Sequence, residues 1–341
     1  MLRAYLYGNR HRWIAGMTRH ELDWEDEYSA PKRRLVPRVA RAGGMGIVGL
    51  IGLLVLYYIV GMAMVHRVSD DTTFETENVD PGASGSVAIA AALIDREINQ
   101  NNWVANDPFF KPGALLDNMP NFQQGVIYAL SRFALELSDQ LGRTRGSSEV
   151  DKDLDKAAGL LKYPGNIWIW DLSTSWKPTA PSEDQYKAAR ESLLAYNKRV
   201  AIGEATFERR ADNLQGTLLR FTADIGSSSA IIDQHLTLAG GWGIDTKVDD
   251  IFYSTKGRLY GYYMVLRELG RDFDKVIADR ELSASWARML DSMRQAASLD
   301  PIIVVNGAPD GAIMPSHLAS LGFYLLRART QLREITNILQ K

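Results

Sequence analysis

Between Gly43 and Val65 the chain reads GGMGIVGLIGLLVLYYIVGMAMV, 23 residues without a charge. At ~1.5 Å of rise per residue, such a helix is about 34 Å long, enough to cross the hydrocarbon core of a bilayer. A helix apolar on every face has no polar side to offer water, so the segment is expected in a membrane rather than inside a soluble core. The 42 residues before it, its length, and Met64 and Val65 at its end argue against a cleaved signal peptide. It reads as a permanent anchor.

Charge orients it. Nine basic residues, from Arg3 to Arg41, precede the segment, against the acids Glu21, Asp23, Glu25, Asp26 and Glu27. On the other side Arg67 is the only basic residue before a run containing Asp70, Asp71, Glu75, Glu77 and Asp80. The positive-inside rule then puts the amino terminus in the cytoplasm and residues 66–341 outside, in the periplasm of a bacterium with two membranes. The plan is a basic cytoplasmic tail (1–42), a transmembrane helix (43–65), a polar linker (66–85) and an extracytoplasmic domain (86–341). The tail interleaves Arg with Leu, Tyr, Trp and Ile over its first twenty residues, a pattern suited to anionic headgroups as well as to a plain basic tail.

The domain is patterned for helices. Past Ser182-x-x-Gln185, which resembles a capping box, apolar or small residues recur at three- and four-residue steps from Tyr186 through Val200, Gly203 and Phe207 to Phe221. Taken as one seam, this runs about 52 Å. A second stripe runs from Val248 through Phe252, Leu259, Leu266 and Phe273 to Val276, and a third from Leu318 to Leu339. A fourth joins Phe122, Val126, Leu130, Phe133, Leu137 and Leu141 ahead of Gly142, and a fifth joins Trp286, Leu290, Met293 and Ala297. The fold class is therefore mainly α: one transmembrane helix followed by a helical bundle with long seams. At most a small β element is expected, at Ile167–Trp170 or at Ile302–Val305 before the Asn306-Gly307 and Pro309-Asp310-Gly311 turns. Gly125-x-x-Tyr128 echoes Gly257-x-x-Tyr260, which reads as shared helix packing rather than duplication.

Chemistry is harder to find. With 39 basic and 41 acidic residues the chain lacks the clustered positive excess that a nucleic-acid partner demands. Having no cysteine, it has neither disulfides nor thiolate chemistry. No nucleophile elbow, zinc-protease helix, P-loop or dinucleotide fingerprint occurs, and no metal or cofactor is expected. His235 and His317 read as structural or surface residues. Asp245, Asp249 and Asp250 cluster in GGWGIDTKVDD, where three carboxylates could bind a divalent cation or act as acid and base, although Asp also favours a helix start, which is the expected role. Trp168 and Trp170 could form an aromatic platform, but large aromatics usually bury most of their area, so they are expected to plug the end of the bundle. In NNWVANDPFFKPGALLDNMPNFQQG, residues 101–125, the polar residues have local turn and cap work. The adjacent Phe109 and Phe110 are not explained that way; they are expected to turn inward, with presentation to a partner as the alternative.

The anchor, with NDPFF (106–110), DNMPNFQQG (117–125) and GWGIDTKVDDIFY (241–253), resembles a bacterial family of membrane-anchored proteins known as domain of unknown function 2333. The resemblance implies a bacterial inner-membrane protein and carries over no catalytic residue, because the family has no assigned activity. The reading that follows is a single-pass envelope protein whose periplasmic domain binds or scaffolds another envelope component without catalysis, its partners being the lipid bilayer and an envelope protein. The alternative is a tethered hydrolase or lyase acting on cell-wall glycan or peptide. Trp168, Trp170, Asp245, Asp249, Asp250, Phe109 and Phe110 are the candidate ligand or partner residues.

Overall fold

The computed structural model describes residues 35–341 except 78, 143–149, 171–175, 239–245, 302, 306 and 308–315. The chain divides into two compact units, residues 1–55 and 56–341. Helix α1 (Leu35–Val65) begins in the first and ends in the second. Among the described residues it carries the one stretch, Ala40–Val65, long and apolar enough to cross a membrane, and the protein covers none of that stretch's most apolar part. Its glycines at 43, 44, 46 and 49 do not interrupt it.

The second unit follows the helical periods. Its helices are α2 (Gly85–Asp95), α3 (Asn118–Glu136), α4 (Lys152–Leu161), α5 (Ser182–Ala201), α6 (Ala211–Leu238), α7 (Thr246–Asp272), α8 (Asp274–Asp279), α9 (Ser283–Ala297) and α10 (His317–Leu339). No strand occurs among the described residues. Ile167–Trp170 is irregular, although the backbone N–H groups of Thr179 and Ser182 donate to the carbonyls of Ile169 and Ile167. α7 is the hub: α2, α3 and α9 pack along it, while α6 and α10 pair with each other and touch it more lightly. Its Phe252, Leu259, Tyr262, Leu266 and Leu269, and Phe273 just past its end, are all buried, as the stripe requires.

α3 lies unusually close to α7. A Cβ placed on Gly257 would strike the carbonyl of Phe122, and one on Gly125 would strike the carbonyl of Ser254. The echo between the two Gly-x-x-Tyr segments is therefore a mutual contact, each glycine admitting the other helix's backbone.

The seam from Tyr186 to Phe221 is not one helix. α5 stops at Ala201, Gly203 adopts φ +78°, and the chain does not re-enter a helix until Ala211. Phe207 kept the spacing by coincidence; it is buried from the connecting segment, 6.0 Å from the Phe273 ring. Nor does Ser182 form a capping box. Its hydroxyl donates to Pro164 O at 2.7 Å and accepts from Ile167 N at 3.0 Å, so a tertiary contact has taken the group that would have capped locally.

The polar segment after α1 lies along α7 as a strap. Asp70 pairs with Lys256 at 2.6 Å, the carbonyl of Asp71 accepts from the Tyr260 hydroxyl, and those of Thr72 and Phe74 accept from Arg267. Glu75 meets Arg271 at 3.1 Å. Lys256, Tyr260, Arg267 and Arg271 share one α7 face, so strap and helix advance together. At its end Asp272 accepts from the backbone N–H and hydroxyl of Ser86, from Gly85 N and from the Ser84 hydroxyl, fixing the start of α2.

Candidate functional site

α3 and α7 begin side by side, and their first turns bring the acidic residues together. Asp117 caps α3, its Oδ1 accepting from Asn118 N at 2.8 Å. One turn on, Asn121 Nδ2 donates to Asp250 Oδ1 at 2.6 Å. The Asn118 amide faces Asp249: with its nitrogen toward the carboxylate it donates to Oδ2 at 2.6 Å, and with its oxygen there it accepts from the protonated acid. Burial foremost, then the charges of Asp117 and Asp250, pushes the Asp249 carboxyl up to about 6. Burial also raises Asp250, against the lowering effect of the Asn121 hydrogen bond. Tyr253, one turn further along α7, is pushed up to about 12, chiefly by burial.

The stretch 101–125 and the α7 junction therefore meet through Asn118 and Asn121. Asp245, with the rest of 239–245, lies outside the described residues. A carboxyl that half-ionises near pH 6 can exchange a proton with a neighbouring group, while carboxylates in a helix's first turn also stabilise that helix. Among the described residues no three His, Asp or Glu side chains come together as a metal site.

Asp249 has a measurable consequence. Because its folded value lies above the ordinary carboxylate value, the native state holds the extra proton between about pH 4 and pH 6. Its contribution to stability is full below that window and is lost as pH rises through 6. Asp249→Asn is expected to flatten the pH dependence of the melting temperature across that window and to raise it at pH 7. An unchanged profile would show that Asp249 titrates normally.

The aromatic residues lie elsewhere on the surface. Asn101 to Asn106 are tied inward: Trp103 Nε1 donates to Gly165 O at 2.8 Å, and Asn106 Nδ2 donates to Ile167 O at 2.8 Å. Then Lys111 N bonds back to Pro108 O at 2.9 Å, which puts Phe109 and Phe110 at the two central positions of a tight turn. Phe109 is 84% exposed and Phe110 49%, contrary to the expectation that they turn inward. The anchored flanks hold the apex out. The rings meet edge to face at 5.5 Å, and Phe110 meets Trp168 at 5.6 Å. Trp168 is half-buried and Trp170 exposed, so the pair does not plug the bundle end. Leaving such rings in water forgoes ~1.5–3 kcal/mol for each one that could have been fully buried.

Cavities of about 820, 680 and 380 Å³ occur at the α7–α8 corner, between the strap and α2 and α5, and beside Trp286. None is lined by Phe109, Phe110, Trp168, Trp170, Asp249 or Asp250. From sequence Asn118 reads as the N-cap of α3; the cap is Asp117 instead, one residue earlier, and only the docking of α3 on α7 makes Asn118 and Asn121 neighbours of Asp249 and Asp250. The spacing of Asn118 and Asn121, one turn apart at a helix start, was the available signal.

With this geometry in view, the comparisons are informative about kinship. The model of a family described as "Uncharacterized protein conserved in bacteria (DUF2333)" matches residues 63–238 and 234–341. The chain belongs to this family. The DUF2333 match takes in NDPFF, DNMPNFQQG and GWGIDTKVDDIFY, the motifs that carried the resemblance, and includes the last three residues of α1. No curated protein and no solved structure matches the chain.

Proposed function

We propose that this DUF2333 member is a single-pass inner-membrane protein, amino terminus in the cytoplasm, whose periplasmic helical domain binds or scaffolds another envelope component without catalysis. The observation that carries the reading is α1: its large apolar side chains from Met45 to Leu56 are each at least half exposed, a surface suited to lipid rather than water. The excess of basic residues before it and of acidic residues after it supports the orientation.

Crosslinking of the full chain in native membranes, with identification of what is joined to residues 66–341, tests it. A discrete envelope protein joined to that region is the expected result. Recovery of the chain in the alkaline-soluble fraction would remove the anchor. Failure to crosslink, together with turnover of an envelope substrate, would replace the scaffold with an enzyme.

That second reading, a tethered hydrolase or lyase on cell-wall glycan or peptide, is favoured by one observation, the raised Asp249 carboxyl beside Asp250 and Asp117. It requires that Asp249→Asn and Asp250→Asn abolish cellular function while leaving the fold intact.

A further inference from the structure

We propose that the Pro108–Lys111 turn, backed by Trp168, is a lipid-docking element that seats the domain in the interfacial zone of the leaflet where α1 ends. The inference rests on the reading of α1 as a membrane span.

Its basis is the position of the turn along α1. The Tyr57 hydroxyl donates to the carbonyl of Phe110 at 3.0 Å, and the Tyr58 hydroxyl donates to the carbonyl of Phe109. One turn of helix later, Gly61 lies so close to Pro112 that a Cβ there would overlap the proline ring. Three consecutive contacts thus hold residues 109–112 against the last ten residues of α1. Tyr57 precedes Val65 by eight residues, about 12 Å along the helix at ~1.5 Å per residue. The first ionisable groups past the span are His66 and Arg67, so the hydrocarbon boundary lies between the tyrosines and those residues.

Each end of that interval leaves the rings against lipid. With the boundary at His66 the two tyrosines lie about 12–14 Å inside it at ~1.5 Å per residue, a little deeper than the ~5–10 Å at which interfacial elements bury their apolar faces. With the boundary at Tyr57 and Tyr58 the rings are level with the aromatic belt, where Tyr and Trp concentrate.

The side chains suit that zone. The contacts to α1 use the carbonyls of residues 109 and 110, which leaves the Phe109 ring free to face outward. Leu115, at the end of the short 3-10 turn Pro112–Leu115, is also exposed. Lys111 pairs with Asp107 at 2.9 Å and remains about half exposed, within reach of a phosphate above the rings. An aqueous protein gains nothing from two adjacent phenylalanines at a turn apex; a headgroup boundary makes use of them.

The absence of cysteine makes a direct test clean. The full chain, carrying one substitution at a time, is spin-labelled in nanodiscs of phosphatidylethanolamine and phosphatidylglycerol, and collisions with oxygen and with a water-soluble nickel chelate are measured. Leu53→Cys on α1 is the lipid reference, and Lys275→Cys, beyond the far end of α7, is the water reference. The label at Phe109→Cys is expected to be oxygen-rich and nickel-poor, as at Leu53→Cys. Phe110→Asp is expected to move it severalfold toward the nickel reagent with the far-ultraviolet spectrum unchanged. A label at 109 that behaves like Lys275→Cys while Leu53→Cys remains in lipid would overturn the docking and leave the anchor standing. Aqueous behaviour at both 53 and 109 would overturn both, and shielding of 109 from both reagents would mean that a protein, not lipid, covers the turn.

Discussion

Gly257→Val is expected to destabilise the helical domain by ~3 kcal/mol or more, at or beyond the usual cost of overpacking, and to broaden or abolish its cooperative thermal transition. The added Cβ meets the carbonyl of Phe122, a backbone atom that cannot rotate away as a side chain can. Relief requires α3 to lift from α7, and that opens the core at Phe122, Val126 and Phe133. Gly159→Ala is the control. It sits in α4 with open space where its Cβ would go, so the change should be stabilising by ~0.5–1 kcal/mol through helix propensity alone. Calorimetry of the two variants gives opposite signs if the α3–α7 approach is as described; a Gly257→Val melt within ~1 kcal/mol of the parent would contradict it.

Asp70→Ala is expected to cost ~3 kcal/mol, lowering the melting temperature by roughly 6–12 °C in a domain of this size. The Lys256 side chain is 0% exposed and its ammonium lies 2.6 Å from the Asp70 carboxylate. Its other carboxylate, Asp300, is 3.8 Å away and largely in solvent. Removing Asp70 leaves a desolvated cation with only that distant partner. The Asp70→Ala/Lys256→Met double variant should recover most of the loss, because a buried pair replaced by apolar groups costs far less than a half-broken one. A double-mutant cycle with no coupling between positions 70 and 256 would show that the pair does not hold the strap.

The contrast between these sites shows what sequence spacing reveals. The stripes of α7 and α10 were legible because burial on one face imposes a three- and four-residue period over their whole length. The break after Ala201 was not, since three- and four-residue steps continued through Gly203 and Phe207 even though the backbone had left the helix. Around Phe109 and Phe110 the Asn, Asp and Pro residues announced a turn; the side on which its apex would emerge depends on Trp103 and Asn106 gripping the 165–167 segment about sixty residues away. Lys256 reads as an ordinary polar residue in YSTKGRLY, and its partner is 186 positions earlier. The carboxylates were found as residue types, whereas Asn118 and Asn121 became their partners only through the packing of one helix start on another.

The strap also limits distance. Nineteen residues of free chain, His66 to Ser84, could extend roughly 60 Å and let a tethered domain search a broad volume. Bound to α7 at Lys256, Tyr260, Arg267 and Arg271, that length is already taken up, and the end of α1 and the start of α2 are held within one compact unit. For the scaffold proposed above, a partner would have to come to a height set by the strap, which would make the molecule a gauge of membrane distance rather than a roving arm.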